Sequence, residues 1–220
     1  VWAIVVAAGS GSRFGSRKQF ALLAGRPVAQ WSVDAARKAA DGVVLVVPAD
    51  DLEGAAGLGA DAVVAGGATR AESVRRGLSR VPLAADVVVV HDAARPLASP
   101  SLFAAVVAPL LEPGAQEQGP DGVVCALPVS DTLKRVDPGT GTVTATVDRS
   151  ALVAVQTPQA FAAAMLRRAH EGDPDATDDA ALVERIGGTV RVVPGEPHNV
   201  KLTVPSDLVL VEQLVGGGRW

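Results

Sequence analysis

The stretch Val5–Phe20, VVAAGSGSRFGSRKQF, constrains this chain more than any other. An apolar run from Trp2 to Ala8 stops at three glycines, Gly9, Gly11 and Gly15, with the cations Arg13, Arg17 and Lys18 among and after them. Glycine lacks a Cβ and tolerates positive φ, so such a loop can turn its N–H groups toward a ligand. Guanidinium and ammonium groups beside those N–H groups suit a densely charged anion such as a polyphosphate. Of two familiar phosphate loops, one is excluded and the other disfavoured. A Walker A loop ends in Gly-Lys-Ser/Thr, whereas Lys18 is followed by Gln19. The dinucleotide fingerprint needs a third glycine that here comes one residue late, at Gly15, and its acidic partner about 20 positions on would be Asp34, inside a helical pattern. A plain glycine-rich turn with solvated charges is the simpler reading. Glycine bends and cations coinciding directly after a buried strand favour phosphate.

The 220 residues suit one domain with a sizeable core. Aromatic residues make up only 3%, so the core is built of Ala, Val and Leu. The net charge of −4 argues against a nucleic-acid or membrane partner, and the local cations favour a small anionic ligand. The single cysteine, Cys125, excludes a disulfide framework and reads as a small buried residue in VVCAL. No apolar run reaches membrane-spanning length and no signal peptide is visible, so a cytoplasmic location is expected.

Strands are expected at Trp2–Ala7, Val43–Val47, Asp61–Ala65, Asp86–Val90, Gly122–Leu127 and Thr189–Val193, each a short apolar run. Helices are expected from Pro27 to Ala40, from Asp50 to Leu58 (short and glycine-broken), from Thr69 to Val81, from Pro100 to about Leu111, from about Gln159 to His170, after a Thr177 cap, and from Pro205 to about Val215. Thr69-x-x-Glu72 forms a capping box directly after Gly66-Gly67. This strand–helix alternation implies a mostly parallel sheet covered on both faces, with ligands at the carboxyl ends of the strands. The glycine loop, the Gly66-Gly67 turn and the segment His91–Pro96 all fall at that edge. Residues 130–149 break the alternation. Two Thr/Val-rich halves flank Asp137-Pro-Gly-Thr-Gly, a turn sequence, giving a hairpin that needs a surface to lean on. A second subunit is the first choice, its own domain the alternative.

Together these segments resemble the 2-C-methyl-D-erythritol 4-phosphate cytidylyltransferase family. The matches are Ala7-Ala8-Gly9-x-Gly11-x-Arg13, Lys18-Gln19, Gly66-Gly67-x-x-Arg70-x-x-Ser73, His91-Asp92-Ala93-Ala94-Arg95-Pro96, Asp131-Thr132-x-Lys134, Thr146-Val147-Asp148-Arg149, Thr157-Pro158-Gln159, Thr177-Asp178 and Asn199-x-Lys201. The resemblance implies an α/β, three-layer Rossmann-like nucleotidyltransferase fold, a single domain over 1–220 with 130–149 as a protruding dimerisation arm. It implies transfer of CMP from CTP to 2-C-methyl-D-erythritol 4-phosphate, with Mg2+, in a homodimer. Arg13, Lys18, Arg149 and Lys201 resemble the catalytic cations. The first pair holds the triphosphate and the second the acceptor phosphate. Ala7, Ala8, Gly9, Gly11, Gly67, Ser73 and Asp92 resemble the CTP contacts, with Asp92 near the metal. Arg95, Thr132, Thr157 and Thr177, with Arg149 and Lys201, fall on the substrate side. Arg17 stands where the family usually has Pro, and is expected as an extra phosphate contact. Competing readings are a cytidylyltransferase for another polyol phosphate such as ribitol 5-phosphate, a nucleotide-binding protein without turnover, and a nicotinamide oxidoreductase.

Overall fold

The computed structural model describes residues 1–9, 14, 17–112, 114 and 119–218. Its centre is a seven-stranded sheet in the order β11-β7-β10-β6-β1-β4-β5. The strands are β1 (Trp2–Val6), β4 (Gly42–Val47), β5 (Ala62–Ala65), β6 (Val87–Asp92), β7 (Gly122–Pro128), β10 (Val153–Ala162) and β11 (Val190–Pro194). β1 pairs in parallel with both β4 and β6, β4 with β5, and β7 with β11. Only β10 runs against its neighbours, β6 and β7. The short pair β2 (Leu22–Leu23) and β3 (Arg26–Pro27) and the hairpin β8 (Leu133–Val136) with β9 (Val143–Val147) form two separate ribbons.

Strand side chains alternate between faces, so an apolar strand feeds two cores at once. Ala3, Val5, Val43, Leu45, Val87 and Val89 pack on one face, against α1 (Val28–Arg37) and α4 (Pro100–Leu111). Ile4, Val44, Val46, Val88 and Val90 pack on the other, against α3 (Arg70–Leu78), α5 (Ala163–Ala169) and α6 (Asp179–Arg185). The result is an α/β fold with helices on both faces of a mostly parallel sheet. A third cluster, around Leu23, Leu97, Leu202 and Val211, seats α7 (Pro205–Gly216) beside the β2–β3 ribbon. Each fully buried Val or Leu contributes roughly 1.5–3 kcal/mol, so these cores carry the bulk of the stabilisation.

Helix starts follow their capping chemistry. Thr69 Oγ1 accepts from the Glu72 N–H at 3.1 Å, and the Glu72 carboxylate accepts from the Ala68 N–H at 2.7 Å, one residue earlier than a standard capping box. Ser99 caps α4, with Pro100 in the first turn. Only four residues after the Ala49–Asp51 turn form α2 (Leu52–Ala55), as its glycines foreshadow.

The structure departs from the sequence reading in three places. β6 runs on through His91 and Asp92, because both continue the ladder beside Val5 and Val6. The segment from about Gln159 to Ala162, expected to start a helix, instead stays in β10, since Gln159–Ala162 pair with β6 and Gln159–Phe161 with β7. Alanine's helix preference yields there to burial between two strands. Asp178, not Thr177, caps α6, its carboxylate accepting from the Ala181 N–H at 3.0 Å.

Helix α3 crosses β1 and β4 at Gly77. A Cβ there would lie 2.6 Å from Ile4 Cγ2 and 3.1 Å from Val46 Cγ2. Alanine favours helices over glycine, yet Gly77→Ala is expected to destabilise the fold by about 1–3 kcal/mol through overpacking. Chemical denaturation measures this, and a midpoint at or above that of the unaltered chain contradicts the close approach.

Candidate active site

The chain runs from β1 outward through β4 to β5, then returns to place β6 on β1's other side. The strand order therefore switches between β1 and β6, and in open parallel sheets ligands bind beyond that point. A cavity of about 530 Å³ opens there. Its walls are the end of β1 (Val6–Gly9), the turn holding Lys18 and Gln19, the start of α3 (Gly67–Arg70 and Ser73), the end of β6 (Asp92–Ala94) and Lys201. Close approach explains the glycine just before the wall residue Gly67. A Cβ on Gly66 would fall 2.2 Å from the Ala8 Cβ, so only glycine lets the β5–α3 turn reach β1. Ser73 then fastens the turn, accepting from the Gly67 N–H at 3.0 Å and donating to the Thr69 carbonyl at 2.9 Å.

Asp92 lies at the cavity floor. Its Oδ2 accepts from Lys201 Nζ at 2.7 Å and its Oδ1 from Arg70 Nε at 3.2 Å. Burial alone would raise its pKa. The Arg70 guanidinium and the Lys201 ammonium outweigh burial and hold the carboxyl far below the usual range. Lys18 Nζ donates to the Leu202 carbonyl at 2.8 Å, next to Lys201. Lys18, Arg70 and Lys201 thus face the cavity against Asp92, the one carboxylate among the described residues that line it, an arrangement with positive excess that suits an anion.

A polar spine behind the cavity sets these positions. The Asp92 N–H donates to Thr157 Oγ1 at 3.0 Å, and that hydroxyl meets His91 Nδ1 at 3.1 Å. His91 Nε2 lies 3.2 Å from the Arg95 carbonyl, which can only accept. Nε2 therefore carries the hydrogen, and Nδ1 accepts from Thr157. Arg95 Nη1 donates to the Asn199 carbonyl at 2.8 Å, the Asn199 amide to the Thr157 carbonyl at 2.9 Å, and the Leu202 N–H to the Ala94 carbonyl at 2.8 Å. These bonds pin the segment that presents Lys201.

Of the residues singled out in the sequence, Ala7, Ala8, Gly9, Lys18, Gly67, Ser73, Asp92 and Lys201 meet at this one cavity. Arg13 and Gly11 lie outside the described residues. Thr157 is buried beneath the cavity, and Arg95 is turned to the Asn199 backbone. Thr132, Arg149 and Thr177 are exposed and line no part of it, with Arg149 donating to the Val129 carbonyl at 3.2 Å. Arg17, expected on phosphate, pairs with Asp50 and Asp51 instead. In the sequence Arg70 is a motif residue without a role. Its place at the start of α3, just after the glycine turn, is the signal for one. Both oxygens of Asp92, the metal candidate, are engaged by cations. No cluster of three His, Cys, Asp or Glu forms among the described residues. Cys125 is buried and its thiol is pushed up to about 12, which makes it inert. A larger cleft, about 900 Å³, lies between Asp86, Leu110 and Arg167, but Arg167 is spent on the carbonyls of Leu78, Val81 and Pro82.

The fold and cavity define an α/β nucleotidyltransferase. The comparisons narrow this: residues 1–216 match the family model for 2-C-methyl-D-erythritol 4-phosphate cytidylyltransferase, and the chain belongs to that family. It is 48% identical to the enzyme of that name from Rhodococcus jostii, over 99% of this chain and 96% of the relative. It is 45% identical to that from Nocardia farcinica, over 98% and 94%. Among solved structures, the cytidylyltransferase of the same name from Thermus thermophilus is 37% identical, with a TM-score of 0.78 over 97% of this chain and 98% of that one. The 4-diphosphocytidyl-2C-methyl-D-erythritol synthase from Anaerococcus prevotii reaches a TM-score of 0.82 at 28% identity, over 98% and 97%.

His91 carries a pH dependence. Burial holds its pKa at about 4, below the free-imidazole value of 6.5. Unfolded chains take up this proton as pH drops below about 6.5, whereas the folded chain stays neutral until about pH 4. The stability contributed is complete above that window and declines through it, by on the order of 3 kcal/mol. Urea titrations from pH 7 to 4.5 should show this slope, and His91→Asn should flatten it. An equal slope in both proteins counts against His91 as the source.

Proposed function

We infer that the chain transfers CMP from CTP to 2-C-methyl-D-erythritol 4-phosphate, forming 4-diphosphocytidyl-2-C-methyl-D-erythritol and pyrophosphate. The observation that carries this reading is the meeting of Lys18, Arg70, Asp92 and Lys201 at one cavity in a chain of this family. An acceptor phosphate oxygen attacks the α-phosphorus of CTP, and the bond to the pyrophosphate leaving group breaks. A phosphate monoester has a second pKa near 6, so at neutral pH the nucleophile is already mostly a dianion and needs no general base. The barrier lies in bringing two anions together, and cations held in place lower it.

In this reading Lys18, with Arg13, neutralises the triphosphate and the departing pyrophosphate, Gly9 and Gly11 turn their N–H groups to those phosphates, and Ala7, Ala8, Gly67 and Ser73 take the nucleoside. Lys201 and Arg149 take the acceptor phosphate, with Thr132 and Thr177 beside them. Arg95 and Thr157 act from beneath, through the Lys201 segment and the Asp92 backbone. A Mg2+ bound with CTP near Asp92 would supply further neutralisation of the phosphates. The protein acts in the cytoplasm as a homodimer, one nucleotidyltransferase domain per chain, with the 130–149 hairpin as the contact. Two features support the hairpin's role: β8 and β9 pair with each other outside the main sheet, and Val136 and Val143 are exposed. A lone two-stranded ribbon is marginal in water.

Pyrophosphate release with CTP and each acceptor tests the reading. Methylerythritol phosphate should support turnover and ribitol 5-phosphate should not; the reverse replaces the acceptor assignment. Arg13→Ala or Lys18→Ala should lower kcat by roughly 100-fold, as losing a charge contact at the transition state does. Lys201→Ala should instead raise KM for the polyol phosphate and leave CTP affinity intact. Unchanged kcat in the first pair removes the loop from the chemistry. Deleting 130–149 should give an inactive monomer in sedimentation and turnover assays. A monomer with full turnover refutes the arm.

A further inference from the structure

Two buried titratable side chains play no part in the transfer chemistry, Asp179 at 0% exposure and His170 at 5%. Asp179 opens α6 and His170 closes α5. Asp179 Oδ2 accepts from Arg70 Nη1 at 2.7 Å, and Oδ1 lies 2.9 Å from His170 Nε2. A carboxylate only accepts, so Nε2 carries the hydrogen. The Arg70 guanidinium thus spans two carboxylates from different elements, Asp179 on α6 and Asp92 on β6. From Asp92 the chain of charges continues to Lys201. The start of α6 is held from its other side too, because Asp178 accepts from the buried Gln159 amide at 3.0 Å.

We propose that Asp179, backed by His170, is a positioning residue that anchors the Arg70 guanidinium beside Asp92 and so keeps the cavity floor shaped for the nucleotide. This rests on the reading in which the cavity takes CTP. A guanidinium prefers to meet a carboxylate with two parallel bonds. Arg70 gives Asp92 only one, from Nε, because the Lys201 ammonium holds the second oxygen; the neighbouring Nη2 is buried without a hydrogen-bond partner among the described residues, so the Nη1 bond to Asp179 is what fixes the guanidinium. Without the Asp179 charge, Arg70 keeps a single 3.2 Å bond to Asp92, and its guanidinium is free to leave this place and to compete with Lys201 for that carboxylate. His170 keeps the Asp179 carboxylate turned toward Arg70 by occupying its other oxygen. Asp179 and His170 line no part of the cavity. They act through Arg70.

The test is the dissociation constant for CTP, by calorimetry in magnesium buffer, on the full chain. Asp179→Asn keeps the size and removes the charge, and it should weaken CTP binding by about tenfold, the scale of a misplaced binding group. Asp179→Glu restores the charge and should return affinity to within about threefold of the original. KM for the acceptor should rise along with the CTP constant in Asp179→Asn, in contrast to Lys201→Ala. A folded Asp179→Asn chain with unaltered CTP affinity overturns the proposal. If that variant does not fold, His170→Leu decides: weaker CTP binding by about threefold supports the relay, and unaltered binding overturns it. An unaltered chain that binds no CTP overturns the transfer reading and the relay with it. One that binds CTP while the variants match it overturns the relay alone.

Discussion

Asp92 is the carboxylate on which the site depends. It ends the central strand, lies largely out of water, and is shared between Arg70 on α3 and Lys201 on the segment after Asn199. A buried carboxylate with one weak partner is costly, whereas one held by two cations is tolerated. That sharing joins three parts of the chain that are far apart in sequence. It also leaves two cations beside the cavity in fixed places, so an arriving polyanion meets an arranged field rather than mobile side chains.

The rest of the fold serves that placement. The switch in strand order between β1 and β6 opens the crevice, and Gly66 lets the β5–α3 turn close one side of it. Beneath it the polar groups answer to one another. The His91 ring, tilted against Phe103, spends one nitrogen on Thr157 and the other on the Arg95 carbonyl. A neutral histidine with a settled tautomer serves as a fixed spacer and has no proton to trade near neutral pH. The chemistry of charge clamping needs no such trade, which agrees with a site whose histidines are sealed away from the cavity.

Much of this was legible in the residues. Unbroken Val and Leu runs at Val43–Val47 and Val87–Val90 declared a sheet covered on both faces, and glycine turns marked its functional edge. What stayed hidden was set by tertiary partners. Gln156–Ala162 carries no local strand signal that overrides its alanines, and only the free edges of β6 and β7 place it in the sheet. Arg17 looked like a phosphate ligand until Asp50 and Asp51, remote in sequence, took its charge. The cavity members Lys18 and Lys201 followed from family motifs, since spacing says nothing about two lysines 183 positions apart. The Arg70–Asp179–His170 contacts had no signature, because His170 closes one helix and Asp179 opens the next, nine positions on.

The proposed transfer asks for a further positive group on the acceptor phosphate, and the cavity of one chain lacks it among the described residues. Lys201 is partly neutralised by Asp92, while Arg149 sits outside, bonded to the Val129 carbonyl on an exposed stretch. Its loop lies at the base of a ribbon that has apolar residues on its surface and no sheet to join. A ribbon of that kind is stable when another surface covers it. Under the homodimer reading, the contact that stabilises the ribbon is also the contact that sets Arg149 before a phosphate. Assembly and chemistry would then be one requirement rather than two, and the exposure of Thr132 and Arg149 in the single chain is what that requirement predicts.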